Sequence, residues 1–203
     1  MKSFFSMFAR SAKEFYDLRS LTVTAMFIAV SMVIEKFTIN FPLFKINFAF
    51  LAIAVIGMLC GPTVGFVAGM LCDIVGWIAN PDGGFYPAYT LVAGIQGLIY
   101  GTLLYYKQDN LSLFGLNETV SLAIRTVIAR LLDVFLINLL CNTFLNMHYG
   151  FIPQQGFGAA ISARLVKNAL ELVADIPLLL LILPVALLAY KRIMSGREVR
   201  RPE

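Results

Sequence analysis

The side chains with chemistry to offer lie inside apolar stretches. Arg164, Lys167, Asn168, Glu171 and Asp175 fall within a narrow arc at helical spacing. Upstream, Arg130 and Asp133 stand three apart and can pair. Asn138 and Asn142 stand four apart and share a helix face. Asp73 sits in an apolar run one turn before Trp77. Ionisable groups are costly in lipid, so each must face another helix or a water-filled cavity. The chemistry these residues suit is recognition: amides that donate and accept, and cations that attract an anion. Catalysis is not indicated, because no HExxH, GxSxG or Ser/His/Asp arrangement stands out. His148 is the one histidine, so no metal set forms, and no cofactor is called for. Cys60, Cys72 and Cys141 show no CxxC spacing and read as core residues.

Residues 80–101, NPDGGFYPAYTLVAGIQGLIYG, begin as a turn-forming loop and run into an apolar helix. Phe85, Tyr86 and Tyr89 mark the transition, and Thr90 and Gln96 follow within the helix. Such a cluster suits a flat polar ligand; the alternative is an interfacial aromatic belt.

Stepping outward, the elements that must position these groups are membrane helices. The 203-residue chain is 59% hydrophobic and 14% charged, with a mean hydropathy of +0.80; soluble domains carry about 25% charged residues. Its net charge of +4 gathers at the ends of apolar segments and does not imply nucleic acid. Expected spanning segments lie near 21–34, 47–60, 63–79, 87–106, 120–145 and 163–190, the first reaching the ~20 residues a crossing needs with its flanks. The expected fold is all-α, an integral membrane bundle of six transmembrane helices. Residues 1–20 form an N-terminal segment, 21–190 the membrane domain and 191–203 a basic tail. The first segment, rich in Phe and basic residues, suits either an amphipathic surface helix or a poorly ordered tail, and does not resemble a cleaved signal peptide. Gly61, Gly65 and Gly69 repeat every four residues, and Gly97 and Gly101 do likewise, predicting close helix contacts. Lys and Arg concentrate on the side of the two termini, which places both in the cytoplasm. The loops around 35–45, 80–87 and 146–162 then lie outside, next to the polar groups. No GxxxxGK(S/T) loop for ATP is present, nor an obvious internal repeat.

Five stretches together, LTVTAMFIA (21–29), FKINFAFLAIAVIGMLCGPTVGFVAGMLCDIVG (44–76), GGFYPAYTLVAGIQGLIYG (83–101), INLLCNTFLNMHYG (137–150) and ARLVKNALELVADIP (163–177), resemble the substrate-binding S component of energy-coupling factor (ECF) vitamin transporters, most closely the folate-type group. The resemblance implies capture of a vitamin outside a bacterial cell. A membrane coupling subunit and two cytoplasmic ATPase subunits would power uptake, so the chain itself is not an enzyme. Spacing alone reads Ala25 and Ala29 as ordinary alanine usage; the resemblance makes them the AxxxA contact with the coupling subunit. It further implies a pterin stacked among Trp77, Phe85, Tyr86 and Tyr89, beside Thr90, with Asn138 and Asn142 reading its edge. Lys45, Arg164 and Lys167 would meet an anionic glutamate tail, unless Arg164 and Lys167 pair internally with Glu171 and Asp175. Asp73 reads as a structural hydrogen bond. The chain departs from the folate-type pattern at Lys45, where arginine is usual, and at Tyr86-Pro87-Ala88-Tyr89-Thr90, where Phe-Pro-Gly-Phe-Thr is usual. Lysine keeps the charge but loses the bidentate fork. Pantothenate, small and anionic, is the alternative vitamin. A proton-coupled carrier relaying through Asp73, Arg130 and Asp133 is the alternative from another class.

Overall fold

The computed structural model describes residues 2–36, 39–40, 45–46, 48–79, 81, 83–107, 117–152 and 156–195. The described chain is almost wholly helical. In order it forms α1 (Lys2–Lys13), a 3-10 turn (Glu14–Tyr16), α2 (Leu18–Lys36), α3 (Phe50–Cys60), α4 (Pro62–Ala79), α5 (Pro87–Leu104), α6 (Glu118–Asp133), α7 (Asn142–His148) and α8 (Phe157–Ser195). Between α2 and α3, Ile39–Asn40 and Lys45–Ile46 make a minimal antiparallel pair. Among the described residues, four helical stretches are long and apolar enough to cross a membrane: Leu18–Glu35, Pro62–Ala79, Pro87–Leu104 and Phe157–Ile193.

Helix α3 is the axis. All of its 11 residues are buried, and α2, α4, α5 and α8 pack around it. A helix apolar on every side must be enclosed by other helices or lipid, and here helices do it. At about 16 Å it is shorter than a hydrocarbon layer. Tight contacts with α5 follow from glycine. A Cβ on Gly57 would lie 2.7 Å from Gly101 N, and one on Gly65 2.6 Å from the Gly97 carbonyl oxygen. The predicted glycine spacing therefore marks backbone-to-backbone contact, with Gly57 as a further member.

Residues 118–148 run as one helical rod, but its middle, Val134–Cys141, is π-helical. Sequence periodicity placed a single α-helix here. A wider turn changes which side chains share a face. The loop expected over 146–162 is shorter, because α7 continues to His148 and α8 begins at Phe157.

The N-terminal segment forms a docked helix rather than a loose tail. Ser11 Oγ donates to the Cys60 carbonyl at 2.8 Å and accepts from Thr63 N at 3.0 Å and Val64 N at 3.3 Å. One hydroxyl from α1 thus caps the start of α4, at a turn where Gly61 takes φ 86°. Ser11→Ala is expected to lower stability by about 1 kcal/mol, read as a lower melting temperature of the detergent-solubilised protein; an unchanged melting point would remove the cap's role. Nearby, buried Glu14 accepts from Lys107 Nζ at 2.6 Å, Ser20 Oγ at 2.5 Å and Tyr105 OH at 3.3 Å. Burial, then the Glu14 carboxylate, push the Tyr105 hydroxyl well above its ordinary range, so it stays a donor. Tyr106 packs on Tyr190 at 5.7 Å, and Lys191 meets Glu118 at 3.4 Å. These contacts gather both ends of the described chain at one end of the bundle.

Candidate functional site

The opposite end holds a cavity of about 340 Å³. Its walls come from the last turn of α2, the start of α3, the second half of α4, the first half of α5, the π-helical segment with α7, and the first half of α8. Every wall but the start of α3, which offers Ala49, Phe50 and Ile53, contributes polar groups: Glu35, Asp73, Gln96, Asn138, Asn142, and the α8 stripe of Arg164, Lys167, Asn168, Glu171 and Asp175. The stripe is polar because it faces this space, while the later, apolar half of α8 does not.

At the inner wall Arg130 is held between two carboxylates. Its guanidinium pairs with Asp133 and Asp175, and it lies 3.9 Å over the Phe50 ring. Tyr100 OH donates to Asp133 at 3.0 Å, Arg130 donates to Tyr100 OH at 3.1 Å, and Gln96 Nε2 donates to Asp133 at 3.0 Å. Arg130, Asp133 and Asp175 are 4%, 0% and 2% exposed. Pairing of Arg130 with Asp133 follows from their spacing; the second carboxylate, from α8, does not. Asp175 therefore goes to Arg130, not to the α8 cations, whereas Lys167 does pair with Glu171 at 3.4 Å. Arg164 donates to Thr143 Oγ1 at 3.0 Å.

The expected site residues divide into groups. Tyr89, Asn138, Asn142, Arg164 and Lys167 line the cavity together. Asn142 donates to Asn138 at 3.4 Å, an amide pair set by the π-helical segment. Thr90 is buried behind the wall and donates to Asp73 at 2.6 Å. The four expected stacking rings are split. Trp77 and Phe85 pair with each other at 5.3 Å, and the Trp77 indole donates to the Gly83 carbonyl at 3.2 Å, pinning the loop to α4. Tyr86 instead packs on Tyr149 at 4.5 Å and Phe151 at 5.4 Å, while Tyr89 donates to Asn146 at 2.7 Å. Of the four, Tyr89 is the ring that lines the cavity. The Lys45 side chain lies outside the described residues. Ala25 and Ala29 are exposed on the outer face of α2, among exposed Met26 and Val30.

Sequence reasoning placed Gln96 in the aromatic, hydrogen-bonding cluster and Asn168 in the polar stripe without giving either a ligand role, and it left out Glu35 as a lining group and Tyr149, Phe151 and Asn146 as partners of the aromatic loop. Nothing local marks Glu35, which reaches the cavity because α2 continues past its last apolar residue, Ile34, to Lys36, laying the carboxylate over Gly76.

An apolar helical bundle with a polar cavity at one end has the build of a ligand-binding membrane protein. A family model described as "ECF transporter, substrate-specific component" matches residues 19–183. The chain belongs to that family, the substrate-specific components of ECF transporters. It is 31% identical over 147 residues to a folate transporter FolT of Clostridium novyi, covering 72% of this chain and 77% of the relative. It is 28% identical over 153 residues to a folate transporter FolT of Leuconostoc mesenteroides, covering 75% and 77%. A solved structure described as FolT bound with folic acid superposes with a TM-score of 0.62 at 25% identity, over 80% of this chain and 90% of that one.

Proposed function

We propose that this chain captures folate outside a bacterial cell and delivers it to an ECF-type ABC transporter. The observation that carries the reading is the cavity: donors from α7 and α8 and acceptors from α2, α4 and α5 converge in a space sealed at its inner end by the Arg130 network. Folate needs both, since its pterin edge donates and its glutamate is anionic. Tyr89 at the wall offers one aromatic face, Asn138 and Asn142 meet polar atoms of the ring, and Arg164 and Lys167 lie toward the tail, joined by Lys45. Thr90 acts through Asp73. Trp77, Phe85 and Tyr86 belong to the lid over the cavity rather than to a stack within it.

In this reading the chain crosses the membrane six times, through α2, α3 with its flanks, α4, α5, the 118–148 rod, and α8. Both termini then lie in the cytoplasm, following the excess of Lys and Arg at that end. Energy comes from a coupling subunit and two ATPase subunits, with Ala25 and Ala29 as the contact.

Two measurements test this. Purified protein is titrated with folic acid and pantothenate side by side; one-to-one folate binding without partner subunits is expected, and pantothenate binding in its place would transfer the site to the cations and amides. Next, Ala25→Trp with Ala29→Trp is expected to leave folate affinity within about twofold and cut uptake into liposomes carrying the full transporter by roughly tenfold or more, because bulk on a small-residue face blocks close helix approach. Undiminished uptake would remove that face from coupling. Uptake by the lone chain would favour the carrier reading instead.

A further inference from the structure

The acceptor side of the cavity contains a carboxylate that no cation neutralises among the described residues. Asp73 Oδ2 accepts from Thr90 Oγ1 at 2.6 Å across the α4–α5 contact, and Thr90 is 4% exposed. That bond fixes the carboxylate's orientation and leaves Oδ1 without a hydrogen-bond partner among the described residues. The neighbouring amides each commit one of their two N–H donors elsewhere. Gln96 gives Nε2 to Asp133, and Asn168 gives Nδ2 to the Arg164 carbonyl at 2.8 Å. Asn168 Oδ1 is buried with no hydrogen-bond partner among the described residues. Asp73, Gln96 and Asn168 all line the cavity and carry acceptor oxygens, each at least one turn deeper than the residue opening its helix face: Trp77, Tyr89 or Arg164. A ligand with adjacent N–H donors at one end and negative charge at the other matches this arrangement, donors deep and charge outward.

We propose that Asp73 is the specificity-determining acceptor for the amidine edge of a 2-amino-4-oxopyrimidine ring, with Thr90 as its positioning residue. The ring's N3–H and 2-amino N–H are spaced to meet the two oxygens of one carboxylate, a bidentate match that neutral acceptors cannot equal. The inference rests on the folate reading and sharpens it. Because this edge is the same in oxidised and reduced pterins, Asp73 tolerates either. A 2,4-diaminopteridine presents an N3 lone pair to the carboxylate and is disfavoured unless protonated.

The test is a pair of ligands on one purified protein: folic acid, and its analogue with methyl in place of the 2-amino group. The wild type is expected to prefer folic acid by about 100-fold or more, since the analogue leaves a carboxylate in the cavity without its partner. Asp73→Asn is expected to bring the two affinities within about fivefold, mainly by weakening folic acid. Thr90→Val keeps the carboxylate but frees it, so affinity falls while the preference persists in part. A wild-type preference below about fivefold overturns the proposal with no variant needed, and so does an undiminished preference in a folded Asp73→Asn protein. Wild-type protein that binds neither ligand overturns the folate reading itself, and with it this one.

Discussion

Arg130→Met is expected to cost about 3–5 kcal/mol, the usual effect of removing one partner from a buried ion pair. Two carboxylates, Asp133 and Asp175, would be left in the interior facing each other, with the Tyr100 hydroxyl and the Gln96 amide as remaining partners for Asp133. The Phe50 ring would also lose the cation above it. Thermal unfolding in detergent reads the loss, along with a smaller yield of monodisperse protein. The triple variant with Arg130→Met, Asp133→Asn and Asp175→Asn should recover most of it, because neutral amides bury at a far lower cost than lone carboxylates. If the single variant were as stable as the wild type, the network would be peripheral to the fold; if the triple were no better than the single, packing of the guanidinium would matter more than charge.

Gly97→Leu is expected to destabilise by about 3 kcal/mol or more through overpacking. A Cβ at Gly97 would collide with the carbonyl oxygen of Gly65, and the reciprocal Cβ at Gly65 would lie 2.6 Å from the carbonyl oxygen of Gly97. Both obstacles are backbone, so no rotamer change relieves them. Gly158→Leu is the control: nothing lies within 4 Å of its Cβ position, and a substitution there should move stability by no more than about 0.5 kcal/mol. A tolerated leucine at Gly97 would mean that α4 and α5 separate readily, and that the shared wall of the cavity is soft.

How much of this was legible follows from what each signal depends on. Glycines at four-residue spacing and the polar stripe on α8 are one-dimensional periodicities, so their faces could be read directly. Pairing of Arg130 with Asp133 is local and equally readable. Asp175 finding Arg130 depends on how α6 and α8 lie side by side, which no spacing encodes. The π-helical turn in VFLINLLC is hidden because an all-apolar run carries no polar marker to show that the period has changed. The aromatic residues after Asn80 looked like one cluster because they are close in sequence. In three dimensions the loop's fold sends Trp77 and Phe85 one way and Tyr86 another, toward Tyr149 and Phe151, which sequence proximity could not reveal. The N-terminal helix was left open because its anchors, Ser11 at the α3–α4 turn, the Phe8 carbonyl with Thr63 and Arg10 with the Lys107 carbonyl, are all contacts distant in sequence.

The two halves of α8 also bear on how the chain enters a bilayer. Arg164, Lys167, Glu171 and Asp175 on an isolated helix would oppose insertion by on the order of 10 kcal/mol, at about 2.5–3.5 kcal/mol for each charge near the midplane. The run from Leu178 to Leu188 pulls the other way. Every polar partner that the first half needs outside its own helix, Arg130 and Thr143 among them, lies earlier in the chain. Synthesis order thus has the receiving surface in place before the most polar helix emerges. The groups that make the cavity are the ones that would stall in lipid if that helix came first.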